Sequence, residues 1–294
     1  MAIPNEDSIP QHKKSKDNIE STLFSTFHIF NVNYSKKVVV ITGASSGIGK
    51  EVAKEFAKLN AYLALVSRDK NKLEETAKEL SKYKTEIFIC PCDVSQKDQV
   101  SKMSKSILDK FGTIDVLVNN AGFGIYGTIV ETKIEEIESQ MSTNYFGMIY
   151  CTKAFLPRML ENKYGHIVNV ASVAASFGIP AMASYCASKF AMLGFSESLY
   201  HELRGTGVGI TVVSPIMVRT NFFNHDSFGK MPRYTTALSA NTVAKAVVRA
   251  SSSPRLEIVV PQFIRIAIWM KQTFPYLINL IVGEIFRKSV KSTN

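Results

Sequence analysis

Uninterrupted apolar runs are missing from this 294-residue chain. Its most apolar region, 256–286, is broken by Pro261, Arg265, Lys271 and Pro275, so it offers no clean stretch of about 18 residues to cross a bilayer. A basic leader is missing too. The segment "LFSTFHIF" at 23–30 is short, interrupted by Ser25, Thr26 and His28, and follows acidic residues, which argues against a cleaved signal peptide. Cysteine is scarce, and Cys90, Cys92, Cys151 and Cys186 form neither a C-x-x-C pair nor a metal spacing. That leaves no disulfide framework and no metal site; free thiols in a reducing compartment point to an intracellular, cytoplasmic protein. Blocks of Lys and Arg interleaved with aromatics are also absent, which argues against nucleic acid despite the net charge of +10. The charge reads instead as a general bias that favours an anionic ligand.

What the chain does carry is alternation. Short apolar runs at 38–42, 62–67, 86–90, 114–120, 166–172, 209–214 and 256–260 are separated by helix-length segments at 47–59, 70–82, 96–110, 133–161, 183–204 and 240–250. Continuous apolar strands between helices predict a parallel sheet covered on both faces, with right-handed crossovers. No repeat, low-complexity tract or linker follows residue 36, so one domain is expected over 36–260. Residues 1–35 read as an appended, disordered segment. Residues 261–294 form an extension with Trp269, Phe274 and Tyr276 and a +4 charge balance. It suits a lid, a dimer surface, a peripheral membrane contact or a packed helical addition.

The first strand runs into "TGASSGIGK". Glycine allows positive φ and close backbone approach, and a helix N-terminus offers free N–H groups to an anion. A Gly-rich turn after the first strand of such a pattern predicts a dinucleotide pyrophosphate site at Gly43, Ser45, Ser46, Gly47, Ile48 and Gly49. A second motif, "SYCASK", sets Tyr185 and Lys189 on one helix face, four residues apart. A phenol beside an ammonium points to proton transfer, because a nearby cation lowers a phenol's pKa from about 10 by roughly 1–3 units.

The T-G-x-x-x-G-I-G run, "NNAG" at 119–122, and Ser172 followed by Tyr185 and Lys189 resemble, in order, the signatures of the short-chain dehydrogenase/reductase family. The resemblance covers about 36–260. It implies a single doubly wound, Rossmann-type parallel sheet of about seven strands, and an enzyme that transfers hydride between a nicotinamide cofactor and a carbonyl or secondary alcohol. At the end of the second strand Ser67 stands where NAD-preferring relatives carry Asp, and Arg68 follows. A guanidinium suits a 2′-phosphate, so NADP(H) is expected over NAD(H). Asp69 is one place late and is read as an N-terminal residue of the next helix. Asp93, with Val94 beside it, matches the family residue that meets the adenine amino group; a helix N-cap is the other reading. Asn120, Ala121 and Gly122 are expected near the adenosine ribose, with Asn119 bonding backbone in the sheet. Pro215, Val218 and Thr220, from the "SPIMVRT" segment, are expected at the nicotinamide carboxamide, although Ile216 replaces a family glycine.

The resemblance further assigns Tyr185 as proton donor or acceptor and Ser172 as the hydroxyl that holds the substrate oxygen. Lys189 serves both phenol and nicotinamide ribose, with Ala187 and Ser188 leaving room for cofactor. Asn144 is read as part of a proton relay or else as a buried helix contact. Cys186 is expected to point away. Phe222, Phe223, Phe228 and Tyr234, facing "GFGIYG" at 122–127, predict an apolar wall for a lipid, steroid or aromatic substrate. Pairing through 133–161 and 183–204 predicts a homodimer or homotetramer. A non-catalytic sensor or scaffold of the same fold is the alternative; the intact Asn144, Ser172, Tyr185 and Lys189 set argues against it.

Overall fold

The computed structural model describes residues 33–224, 226–231, 237–253 and 255–291. Residues 1–32 and Tyr234 lie outside the described residues. The chain alternates β1 (Val38–Thr42), α1 (Gly47–Lys58), β2 (Tyr62–Ser67), α2 (Lys70–Leu80), β3 (Ile87–Pro91), α3 (Lys97–Phe111) and β4 (Val116–Asn119). It continues through α4 (Ile134–Met141), α5 (Gly147–Glu161), β5 (Gly165–Val170), α6 (Ala183–Glu202) and β6 (Val208–Pro215). After a short pair, β7 (Val218–Arg219) and β8 (Leu238–Ser239), come α7 (Ala240–Ala250), β9 (Glu257–Val260), α8 (Ile264–Thr273) and α9 (Pro275–Lys291). Seven strands pair in parallel in the order β3-β2-β1-β4-β5-β6-β9.

The strands are mostly apolar because both faces are covered, and the polar residues within them, such as Asn169 and Thr211, are hydrogen-bonded. Successive side chains point to opposite faces, and β1 obeys this: Val39 and Ile41 pack with Val52 and Phe56 of α1 and Val243 and Val247 of α7. Val40 packs on the other side with Ile107 of α3, Phe155 of α5 and Leu199 of α6. Strand order reverses between β1 and β4, which opens a crevice at the carboxyl ends of the central strands, the place where such sheets bind ligands.

Three details depart from expectation, and the extension takes the helical form that was one of those expected for it. Tyr34, inside the segment expected to be appended, is 6% exposed; its ring meets Phe56 edge-on and its hydroxyl pairs with Ser251 at 2.6 Å. An apolar ring with a hydroxyl partner belongs in a core, so the packed chain starts before residue 36. The helix expected over 133–161 is interrupted by a π turn, Ser142–Phe146, between α4 and α5. Asn144 lies in that turn, buried, and its three hydrogen bonds offset the cost of the wider winding. The two-residue strands β7 and β8 are too short to leave a period in the sequence. Finally, residues 264–291 are helical: α8 buries Ile268 and leaves Phe263, Ile266 and Trp269 beside it exposed, while α9 exposes Tyr276, Leu277 and Leu280. Among the described residues no helix is long and apolar enough to cross a membrane.

Candidate active site

The crevice between β1 and β4 is a cleft of about 760 Å³, and segments from the six loops that follow β1 to β6 line it. At one end is the turn from β1 into α1, with Gly43, Ser45, Ser46, Gly47 and Ile48 on its wall. Gly47 has φ +54°, a conformation that side-chain-bearing residues adopt at a cost. Gly49 does not reach the cleft; it packs behind, where an added Cβ would sit 2.2 Å from the Gly43 carbonyl oxygen. The start of α1 fits an anion on its own evidence. Its N-cap, Ser46, makes no side-chain capping bond and its first turn holds no acid, whereas Asp69 caps α2 and Ser239 caps α7. Uncapped N–H groups facing a cleft are what a pyrophosphate needs. Asn120 braces this turn: its Nδ2 donates to the Thr42 carbonyl at 3.0 Å, while its backbone N–H donates to the Thr42 hydroxyl.

Ser67 and Arg68 lie on the cleft wall at the end of β2. Asp69 accepts from the backbone N–H of Lys72, as expected of a residue that starts a helix. Lys72 itself also lines the cleft, 3.4 Å from the Asp69 carboxylate. Sequence reasoning missed it, because its place on the wall depends on the direction α2 takes from the strand end. Asp93 and Val94 line the next stretch; the Asp93 carboxylate also accepts from the backbone N–H and hydroxyl of Ser95, so it orders its own turn while facing the cleft. Helix α3 is capped at Gln96, not at Asp93. Ala121, Gly122, Pro215, Val218 and Thr220 are all on the wall. Ile216 does not adopt positive φ and donates its N–H to Val260, so the bulky residue fits the turn where the family has glycine. Asn119 bonds side chains, not backbone: its amide donates to Thr152 and Asn169.

The far end holds Ser172, Tyr185 and Lys189. Ser172 closes β5 and starts a short 3-10 turn, Val173–Ala175, accepting from the Ala174 N–H at 3.1 Å. Tyr185 and Lys189 share a face of α6, with the Lys189 Nζ 5.7 Å from the phenol ring centre. That nitrogen donates to the Val170 carbonyl at 3.0 Å. The expected lowering of the phenol's pKa is not what the geometry gives. Burial pushes Tyr185 up to about 12, opposed by its bond with the Ser172 hydroxyl, and burial pushes Lys189 down to about 8. Low dielectric penalises both charged forms, and here it outweighs their mutual influence. At neutral pH the folded site therefore holds a neutral phenol beside an ammonium.

Asn144 sits outside the cleft wall. Its carboxamide clamps the backbone of Phe123, accepting at 3.0 Å and donating at 2.9 Å, and donates to Ser188 at 3.0 Å. Ser188 thus faces the π turn and Ala187 lies on the exposed side of α6, so neither lines the cofactor space as expected. Cys186 turns away, accepting from the Ile179 N–H. An aromatic group covers the reactive end. Phe222 meets the Tyr185 ring edge-on at 5.5 Å, and Phe223, Phe228 and Tyr126 pack behind it in edge-on and tilted contacts. Gly124 allows this closeness, since a Cβ there would lie 2.6 Å from Phe222. Ile179, Met182 and Met231 extend the apolar lining. They come from irregular loops that carry no periodic signal.

Known proteins match this arrangement. The profile of the family described as short chain dehydrogenase matches residues 37–228. Dehydrogenase/reductase SDR family member 7B of Xenopus laevis is 34% identical over 87% of this chain and 83% of its own. The 17-beta-hydroxysteroid dehydrogenase 13 of Homo sapiens is 32% identical over 85% of this chain and 83% of its own. A short-chain dehydrogenase/reductase from Burkholderia phymatum, solved with NAD, superposes with a TM-score of 0.76 at 29% identity, covering 84% of this chain and 96% of that one. A metagenomic short-chain oxidoreductase solved with NADP gives 0.68 at 29% identity, covering 78% and 97%. With its motifs gathered on one cleft and its sequence matched over most of its length, the chain belongs to the short-chain dehydrogenase/reductase family of oxidoreductases.

Proposed function

We propose that the protein is an NADP(H)-dependent reductase of apolar carbonyl compounds, reversible toward secondary alcohols. The observation that carries the proposal is the convergence of the Gly43–Gly49 turn, Arg68, and the Ser172, Tyr185 and Lys189 group on one cleft. The bound nicotinamide supplies or receives the hydride. Tyr185, neutral because of its burial, is an acid ready to give its proton to a carbonyl oxygen. The Ser172 hydroxyl beside it holds that oxygen and stabilises charge developing there. Lys189 keeps an ammonium below pH 8 or so, near the phenol, and would hold the cofactor ribose. Gly122 lies between Asn144 and Lys189, where a Cβ would be 3.0 Å from one and 3.8 Å from the other. The space that glycine leaves supports a proton path past Asn144.

Cofactor choice rests on Arg68, for which no described carboxylate is a partner, with Lys72 as a second cation on that wall. Solved relatives carry NAD in one case and NADP in another, so the argument is the charge at this end. The apolar roof over Tyr185 supports a hydrophobic substrate, as do relatives named for retinol and for 17-beta-hydroxysteroids. The exposed apolar residues of α8 and α9, with a +4 balance over 261–294, support peripheral contact with a membrane surface by the extension. Half-exposed Phe146 and Leu160 on the π turn and α5 support self-association through that face. The test is turnover of a panel of apolar aldehydes, ketones and steroids with NADPH and, separately, NADH. The proposal expects oxidation of NADPH at a higher kcat/KM than NADH. Preference for NADH would overturn the cofactor assignment, and activity confined to small hydrophilic carbonyls would overturn the substrate class.

A further inference from the structure

One cation of the C-terminal extension reaches the catalytic loops, beside the apolar contact that Ile268 and Trp269 make near Ser176 and Leu193. Lys271, near the end of α8, is partly buried, and among the described residues no carboxylate pairs with it. Its ammonium instead donates to the carbonyl of Ser176 and stands 5.4 Å from the ring centres of both Phe177 and Phe190. A cation between two aromatic faces and a carbonyl is attracted to all three. These partners belong to the two segments that carry the chemistry. Ser176 and Phe177 follow the 3-10 turn that Ser172 begins, and Phe190 is next to Lys189 on α6. The same charge reaches Cys186, the neighbour of Tyr185, where it works against the rise that burial imposes on the thiol.

Lys271 adds a polar tie at one stretch of the loop between β5 and α6, at Ser176 and Phe177. Between Val173 and Phe177 the loop's backbone bonds are short-range, Ala175 to Ser172 and Ser176 and Phe177 to Val173. Its ends are tied to other loops by the Ser172 hydroxyl donating to Pro215 and the Gly127 N–H donating to Ala181. It meets α6 through the Ile179 N–H and the Cys186 sulfur, and through buried Ala174 and Ala175, which pack against Tyr185 and Cys186 and against Leu193. Ala181 has φ +60°, an unfavourable backbone conformation that the surroundings must hold in place. We infer that Lys271 is a positioning residue for the active site. It pins the Ser172-bearing loop to α6 so that the Ser172 hydroxyl and the Tyr185 phenol keep their spacing. The inference rests on family chemistry at Ser172 and Tyr185, and is independent of which cofactor or substrate the enzyme prefers.

Three variants of the full chain test it, Lys271→Met, Lys271→Ala and Lys271→Arg. Methionine keeps an aliphatic stem between the rings but removes the charge and the donor, whereas arginine keeps both. Misplacement of a catalytic group by about 1 Å costs up to roughly a hundredfold. Lys271→Met and Lys271→Ala should therefore lower kcat by about ten- to a hundredfold while leaving the cofactor dissociation constant unchanged, since Lys271 is not on the cleft wall. Lys271→Arg should restore most of the turnover. Hydrogen exchange gives a readout that needs no substrate: amides of 173–182 should exchange faster in Lys271→Met than in wild type, with those of β1 and α1 unchanged. If no carbonyl is turned over by wild type, the functional proposal fails while exchange still decides the role of Lys271. Wild-type exchange over 173–182 in Lys271→Met, a kcat within about twofold of wild type, or a uniform loss of protection across the fold that arginine does not repair would each overturn the inference.

Discussion

Tyr185 and Lys189 are four residues apart in the sequence, yet their protonation at neutral pH follows from burial that only the fold supplies. One consequence concerns cofactor affinity. Lys189 titrates at about 8 in the folded protein, below its ordinary value, so its positive charge is present below that pH and lost above it. NADPH affinity should be level below pH 8, fall as pH rises through it, and lose this dependence in Lys189→Met; fluorescence titration of bound NADPH measures this. A pH-independent affinity in wild type between 7 and about 9.5, below the ordinary lysine range, would contradict it. A second consequence concerns Arg68. Hydrogen bonds to charged groups contribute roughly 1.5–3 kcal/mol, so Arg68→Ala should raise the NADPH KM by about tenfold or more. The NADH KM should move far less. Arg68 was legible because it follows a strand end. Lys72 was not, because its place on the cleft wall depends on the pitch and direction of α2.

At the level of elements, strands were the most legible. The apolar runs at 38–42 and 62–67 coincide with β1 and β2, since strands covered on both faces have continuous apolar interiors and here end on a single polar residue, Thr42 or Ser67. The π turn was not legible: its cause is the buried pairing of Asn144 with Phe123 and Ser188, residues far apart in the chain. Strand β5 carries a testable case. His166, half-buried between β5 and β6 with its Nε2 paired to Thr211, is held down to about 4 by loss of hydration. Its folded pKa is below its unfolded value, so its share of stability is full above about pH 6.5 and is lost as pH falls toward 4. That share is on the order of 2–3 kcal/mol. Urea unfolding at several pH values should show His166→Gln losing less stability than wild type over this window; parallel losses would refute the assignment. The ring has room because residue 209 is glycine, where a Cβ would lie 2.6 Å from the imidazole. Gly209→Ala should lower the melting temperature measurably without altering NADPH binding.

For the molecule as a whole, the sequence made the sheet and its ligand crevice readable, because three motifs in order mark three strand ends of one topology. The roof and the extension were less readable. Phe222 over Tyr185 and Lys271 between Phe177 and Phe190 are contacts across 37 and roughly 80–95 positions, and no periodicity encodes them. Self-association through the α5 and α6 face predicts at least a dimeric mass in light scattering at micromolar concentration, and a monomer would refute that assignment. The central claim is that this fold delivers a neutral phenol to a carbonyl oxygen, and one comparison tests it most directly. Turnover of an apolar carbonyl with saturating NADPH is measured for wild type and Tyr185→Phe, with cofactor binding followed in the same samples. The ring still packs against Phe222, and the cofactor phosphates are assigned to the distant Gly43–Gly49 turn. Binding should therefore be unchanged while turnover falls by about 10²–10⁴-fold; a variant that binds NADPH normally and keeps more than about a tenth of wild-type turnover contradicts the account.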